Sequence, residues 1–181
     1  MLNKPTFSQR LKTKSFWLKQ LRDIGVVALI LFAIASYLQR DMITGTAPAL
    51  NATTINHHTV QLSQTTPTLV YFWGTWCAVC KVTSPMVNSV AKSDKYQVIS
   101  IAVASGSNQD ISHYMQQNGL DFPVINEASI PPATDTLSQQ WGANAFPAIY
   151  IVDKNHQIRF ITSGVTTSWG LKFRLWAASY F

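Results

Sequence analysis

The sequence predicts an α/β sandwich built on a mixed central sheet, preceded by one N-terminal transmembrane helix. Three observations carry that prediction. Pro67–Trp73 (PTLVYFW) and Gln97–Ala104 (QVISIAVA) are short apolar runs rich in β-branched and aromatic residues, spaced by a helix-length segment. That is the pattern of strands buried on both faces. Pro147–Val152 and Gln157–Ile161 are separated by Asp-Lys-Asn-His, a hairpin signal. Ile24–Gln39 (IGVVALILFAIASYLQ) carries no charge and follows a basic segment.

The N-terminal run comes first. Residues 1–23 hold Lys4, Arg10, Lys12, Lys14, Lys19 and Arg22 against Asp23 alone, a net charge of +5. As a helix, residues 24–39 rise about 24 Å, short of the roughly 30 Å hydrocarbon core. Phe16, Trp17 and Leu18 precede them, and Lys19 and Arg22 can snorkel to the interface. A cleaved signal peptide, an uncleaved anchor and a buried helix compete for such a run. Ala33-Ile34-Ala35 has the small residues of a cleavage site but lies inside the apolar stretch, and the charged lead is long. The reading is an anchor over 24–39, with the tail of residues 1–23 cytoplasmic and the body across the membrane.

The whole chain has 181 residues and a net charge of +6, which alone invites a polyanion-binding reading. From Asp41 to Phe181, however, seven basic residues meet seven acidic ones. A neutral body has no phosphate track, so nucleic acid is excluded as a partner. Two cysteines exclude a disulfide-dense scaffold and a four-cysteine zinc site.

Residues 40–58 are rich in Thr, Ala and Asn without periodicity and read as a linker. His57-His58 at its end read as exposed loop residues, since no further ligands stand nearby. A domain over 59–181 follows. Thr59–Leu62 is a weak strand and Pro67–Trp73 a strong one. A helix is expected over Ala78–Ala91, then the strand Gln97–Ala104. Asn108–Asn118 reads as a helix stopped by Gly119. Phe122–Asn126 is a short strand, and Pro131-Pro132 breaks the chain. Asp135–Trp141 makes a short helix, and the hairpin follows. Ser168–Tyr180 places Leu171, Leu175 and Ala178 at helical spacing, with Trp169, Phe173 and Trp176 as an adjacent stripe expected to pack in the core.

Catalytic groups in such sheets gather at the carboxyl ends of strands. At the end of the first strong strand stands Trp73-Gly74-Thr75-Trp76-Cys77-Ala78-Val79-Cys80-Lys81. Cys77 is expected at a helix N-terminus, where free N–H groups and the helix dipole favour a thiolate, the attacking species in disulfide exchange. Cys80, further into the helix, is suited to resolve a mixed disulfide. Half a zinc site and an inert structural disulfide are the competing readings. The first lacks two ligands, and the second closes too short a loop to restrict the unfolded chain much.

These residues resemble the thioredoxin superfamily. F-W-x-x-W-C-x-x-C appears as Phe72 to Cys80, Pro85 falls where that family kinks its active-site helix, and Phe146-Pro147 matches its cis-proline loop. The resemblance covers about residues 59–181. It implies a thioredoxin-like α/β/α sandwich in which Cys77 attacks and Cys80 resolves. It also implies that Trp76, Phe146 and the cis Pro147 meet the substrate, with no cofactor and no metal. The helix and strand inserted over Asn108–Asn126 resemble the membrane-tethered TlpA/DsbE-like branch, and Val103–Val124 is similar to suppressor-of-copper-sensitivity D-type proteins of bacterial envelopes. This branch implies an inner-membrane protein with its domain in the periplasm. Its expected partners are client proteins with disulfides and a membrane electron donor. Alternatives are a cytochrome c maturation thiol reductase, a copper-binding module of the same fold, and a non-catalytic scaffold. One departure stands out: thioredoxin's buried aspartate, six residues before the first cysteine, is Tyr71 here. Glu127 and Asp135 are the acids left as candidate proton acceptors. The Ala78-Val79 pair offers no side-chain donor to a thiolate, so a potential on the reducing side is expected.

Overall fold

The computed structural model describes residues 14–131 and 135–181, with side chains from Trp17 onward. Pro132 and most of the basic tail lie outside the described residues. Two compact units divide the chain, one up to Leu38 and one from Gln39.

The described residues of the first unit belong to one helix, α1 (Lys14–Gln39). Its 26 residues rise about 39 Å, enough to cross a hydrocarbon core. Residues Trp17–Gln39 form a helix long and apolar enough to cross a membrane, longer than the 24–39 run expected. The helix extends N-terminally through Trp17, Leu18 and Leu21, all exposed.

The second unit has the expected sandwich. Its strands are β1 (Gly45–Thr46), β2 (Asn51–Thr53), β3 (Thr59–Gln61), β4 (Thr68–Trp73), β5 (Gln97–Ala102), β6 (Val124–Asn126), β7 (Ala148–Val152) and β8 (Gln157–Ser163). Its helices are α2 (Ala78–Ala91), α3 (Asn108–Gln117), α4 (Leu137–Gln140) and α5 (Ser168–Ala178). The main sheet runs β1-β8-β7-β4-β5-β6, and β2-β3 form a separate hairpin. β4, β5 and β6 pair in parallel, while β7, β8 and β1 join antiparallel, so the sheet is mixed.

β4 lies near the centre and is buried at every position, as its unbroken apolar run requires. Its alternate residues serve two cores. Leu69, Tyr71 and Trp73 pack with α2, α3 and α5 residues, while Val70 and Phe72 pack with Trp141, Tyr150 and Met42. The expected insert is present as α3 and β6, with Ser107 and Asp110 forming a capping box at the helix start. In the β7–β8 turn the buried Asp153 carboxylate accepts N–H bonds from Asn155, Gln157 and Arg159. Desolvation pushes its pKa up, but these donors together hold it below the ordinary carboxylate range.

Two expectations are corrected. Residues 40–58 are not a free linker. Met42, Ala47 and Leu50 are buried, β1 pairs with β8, and β2 pairs with β3. Single apolar residues plug separate sites there, so no periodic stripe marks the segment. The second correction concerns α5. Leu171, Leu175 and Ala178 are buried as expected, but Trp169, Phe173 and Trp176 are exposed, Trp169 by 84%. An 11-residue helix on a sheet face buries one stripe, and the aliphatic stripe takes that side.

Candidate functional site

The site is built where β4 hands the chain to α2. Trp73 ends the strand, its carbonyl accepting the Val103 N–H at 2.8 Å. Gly74 then turns the backbone. A Cβ there would lie 2.6 Å from Trp76 Nε1, so a larger residue would displace the Trp76 ring. That ring nitrogen donates to the Val103 carbonyl at 3.1 Å, and Thr75 N–H donates to Ser105 Oγ at 3.1 Å. The redox turn is thereby tied to the segment after β5.

Cys77 is the N-cap of α2, with extended backbone angles. Its sulfur accepts the Cys80 N–H at 3.1 Å, one of the N–H groups a helix start leaves without an intrahelical partner. Cys77 and Cys80 are joined as a disulfide across a Cα separation of 5.2 Å. Cys77 keeps 7% exposure and Cys80 none. A nucleophile from outside therefore reaches Cys77 first. On reduction, the thiolate left on Cys77 would sit where the α2 dipole and free N–H groups stabilise negative charge.

The other expected residues are placed by their own contacts. Trp76 is 58% exposed and meets the half-buried Phe146 ring edge to face at a centroid distance of 5.7 Å. Phe146 also packs against the core cluster that contains both cysteines. The Phe146–Pro147 bond is cis, and the Pro147 carbonyl accepts the Gly164 N–H. Pro147 itself is buried.

Neither acidic candidate is placed as a proton acceptor. Glu127 Oε1 takes the Ser138 N–H at 2.6 Å at the start of α4, and Asp135 is exposed. Tyr71 is fully buried, with its hydroxyl 2.9 Å from Ser84 Oγ. Burial pushes its pKa far up, so the phenol stays neutral. Its ring stacks on Trp73 and meets Phe122 edge to face. Two residues escaped the sequence reading: Thr83 and Ser84, both buried on α2. Their signal was present, since hydroxyl residues occupy positions three and four beyond Cys80 on the inward face.

The matching family model spans residues 43–161, well over half of the chain, and is described as AhpC/TSA. This chain belongs to the AhpC/TSA family. A thioredoxin-like protein of Haemophilus influenzae is 40% identical over 120 residues, 66% of this chain and 68% of that one. The thiol-disulfide oxidoreductase ResA of Geobacillus thermodenitrificans is 27% identical over 106 residues, 58% of either chain. Among solved structures, a thiol:disulfide interchange protein of the thioredoxin family from Chlorobium tepidum aligns with a TM-score of 0.62 at 18% identity. It covers 75% of this chain and 97% of that one. The AhpC/TSA chain thus has the thioredoxin-like fold, and its Cys77–Cys80 pair fits a C-x-x-C redox site.

Proposed function

We propose that this AhpC/TSA protein is a membrane-tethered protein-disulfide oxidoreductase of the bacterial envelope that reduces disulfides in client proteins. One observation carries the reading. The Cys77–Cys80 disulfide caps a helix start, with the outer sulfur partly open and the inner one fully buried. That asymmetry divides the labour of thiol–disulfide exchange. Reduced Cys77 attacks a client disulfide as thiolate, one client sulfur leaves as thiolate, and a mixed disulfide forms. Cys80 then attacks Cys77 Sγ, releasing the second client sulfur and restoring the Cys77–Cys80 bond. The client gains two electrons and the pair loses two. A membrane electron donor with a dithiol returns them by the same exchange. Trp76, Phe146 and Pro147 border the site and receive the client chain. The α1 helix holds the domain at the inner membrane, with the basic tail cytoplasmic and the domain periplasmic. The relatives' names support the chemistry, and the length of α1 supports the tether.

The test is trapping. Cys80→Ser removes the resolving thiol, so client proteins accumulate as mixed disulfides on Cys77, visible as adducts that a reductant dissolves. Absence of adducts, together with unimpaired exchange by Cys77→Ala, would overturn the mechanism.

A further inference from the structure

Thr83 is fully buried in α2, and its Oγ1 has no hydrogen-bond partner among the described residues. A buried hydroxyl without a partner has lost its hydration and gained nothing in exchange. Threonine inside a helix ordinarily bonds a carbonyl one turn back, and Thr83 does not. Its place on the helix decides what it can reach. Thr83 stands three residues after Cys80, and residues three apart share a helix face. Side chains on a helix lean toward its N-terminus, so Thr83 leans over the turn that carries Cys80. Cys80 is itself fully buried, which denies its sulfur any bulk-water donor. The neighbouring Ser84 hydroxyl is already engaged with Tyr71. In the disulfide, the Cys80 sulfur is neutral and a weak acceptor. Freed as a thiolate, it becomes a strong one.

We propose that the Thr83 hydroxyl is the hydrogen-bond donor to the Cys80 thiolate, a bond made only when the Cys77–Cys80 disulfide opens. The thiolate of a partner dithiol attacks Cys77 Sγ, the Cys77–Cys80 bond breaks, and Cys80 leaves as thiolate with the electron pair. Thr83 Oγ1–H then turns to that sulfur. The partner's second thiol, deprotonated to solvent, displaces Cys77 and leaves the partner oxidised by two electrons. Thr83 thereby stabilises the ionised inner cysteine from the helix itself, as a donor and not as a proton acceptor. Other titratable groups near this stretch are committed. Tyr71 on β4 is bonded to Ser84, Lys172 on α5 reaches Ser89 two turns further along, and Tyr114 on α3 lies against Trp73.

This inference rests on the exchange chemistry proposed above, and the experiment separates the two. The full chain in detergent is equilibrated with reduced and oxidised dithiothreitol across a pH series, as wild type, Thr83→Val and Thr83→Ser. Wild type must exchange with dithiothreitol; if it does not, the oxidoreductase reading itself falls. On the alkaline side, where Cys80 is ionised, Thr83→Val should shift the equilibrium about tenfold toward the disulfide, ~30 mV for a two-electron couple. Cys80, followed by thiolate absorbance in a Cys77→Ser background, should ionise at higher pH in Thr83→Val. Thr83→Ser keeps the hydroxyl and should match wild type in both readouts. Equal constants for wild type and Thr83→Val would overturn the inference, and so would Thr83→Ser behaving like Thr83→Val. Should Thr83→Val not fold, Thr83→Ala against Thr83→Ser decides by the same criteria.

Discussion

Tyr71 shows how one substitution resets the chemistry beneath a redox pair. Where thioredoxin buries a carboxylate, this chain buries a phenol bonded to Ser84. Desolvation raises the Tyr71 pKa, and burial does the same to Tyr150, whose hydroxyl bonds the Trp141 carbonyl. In the unfolded chain both tyrosines ionise near pH 10. The folded protein keeps them neutral, so the unfolded state sheds protons first as pH rises. Their contribution to stability is intact below about pH 10 and is lost above it. Stability of the oxidised protein against denaturant should therefore fall above that pH by about 1.4 kcal/mol per pH unit for each tyrosine. Tyr71→Phe removes one proton's share of that slope. At neutral pH it costs about 1–3 kcal/mol, because Ser84 loses its partner. An unchanged alkaline slope in Tyr71→Phe would refute this account. At this scale the two cysteines, Trp76 and the cis-proline loop were legible, because motif spacing names them. Thr83 was not, because its meaning comes from an unmet hydrogen bond that no spacing reveals. The aspartate's absence was legible, but the Ser84 hydroxyl that meets Tyr71 came only with the fold.

Among the elements, α2 was readable to the residue, since an N-capping Cys77 precedes it and its inward positions repeat with helical period. The strands that carry the sheet were readable too, through their β-branched runs. The segment after α1 was not. Its docking depends on one close approach: Gly142, at φ +63°, brings its backbone so near Asp41 that a Cβ would lie 1.8 Å from the Asp41 carbonyl oxygen. The neighbouring Ile43 N–H bonds the Trp141 carbonyl, and Met42 is buried in the same core cluster as Trp141. Glycine is required there both for its positive φ and for the missing side chain. Gly142→Ala should therefore release residues 41–47 from the domain and lower the unfolding midpoint. Limited proteolysis should then cut this segment in the variant while sparing it in the wild type. Equal resistance would mean that the contact does not hold the segment. The same reasoning explains the α5 misreading, since sequence spacing shows two apolar stripes but only packing decides which one faces the sheet.

Over the whole sequence, charge and hydropathy sort into three stretches: a basic tail, the uncharged run of residues 24–39 and a neutral domain. That sorting is a property of the sequence alone, and it was fully legible there. The domain's role is legible from one turn of one helix. The direction of the chain across a membrane follows from a different principle, the retention of Lys and Arg on the cytoplasmic side. With a net charge of +5 before Ile24, the N-terminus should stay inside and Phe181 should emerge in the periplasm. Alkaline phosphatase fused after Phe181 should be active, because it needs the oxidising side, and a green fluorescent protein fused there should stay dark. Replacing Lys4, Arg10, Lys12, Lys14, Lys19 and Arg22 with Gln should weaken that bias and lower the phosphatase signal. An N-terminal tag should remain with the membrane fraction on the full-length chain, as the proposed anchor requires, and its loss from the mature chain would show cleavage. Inactive phosphatase with a bright fluorescent fusion would reverse the topology, and it would place the Cys77–Cys80 pair in a compartment where thiols are already kept reduced. A reductant facing the oxidising side, by contrast, requires an electron supply, so periplasmic topology is the outcome that the proposed membrane dithiol donor calls for.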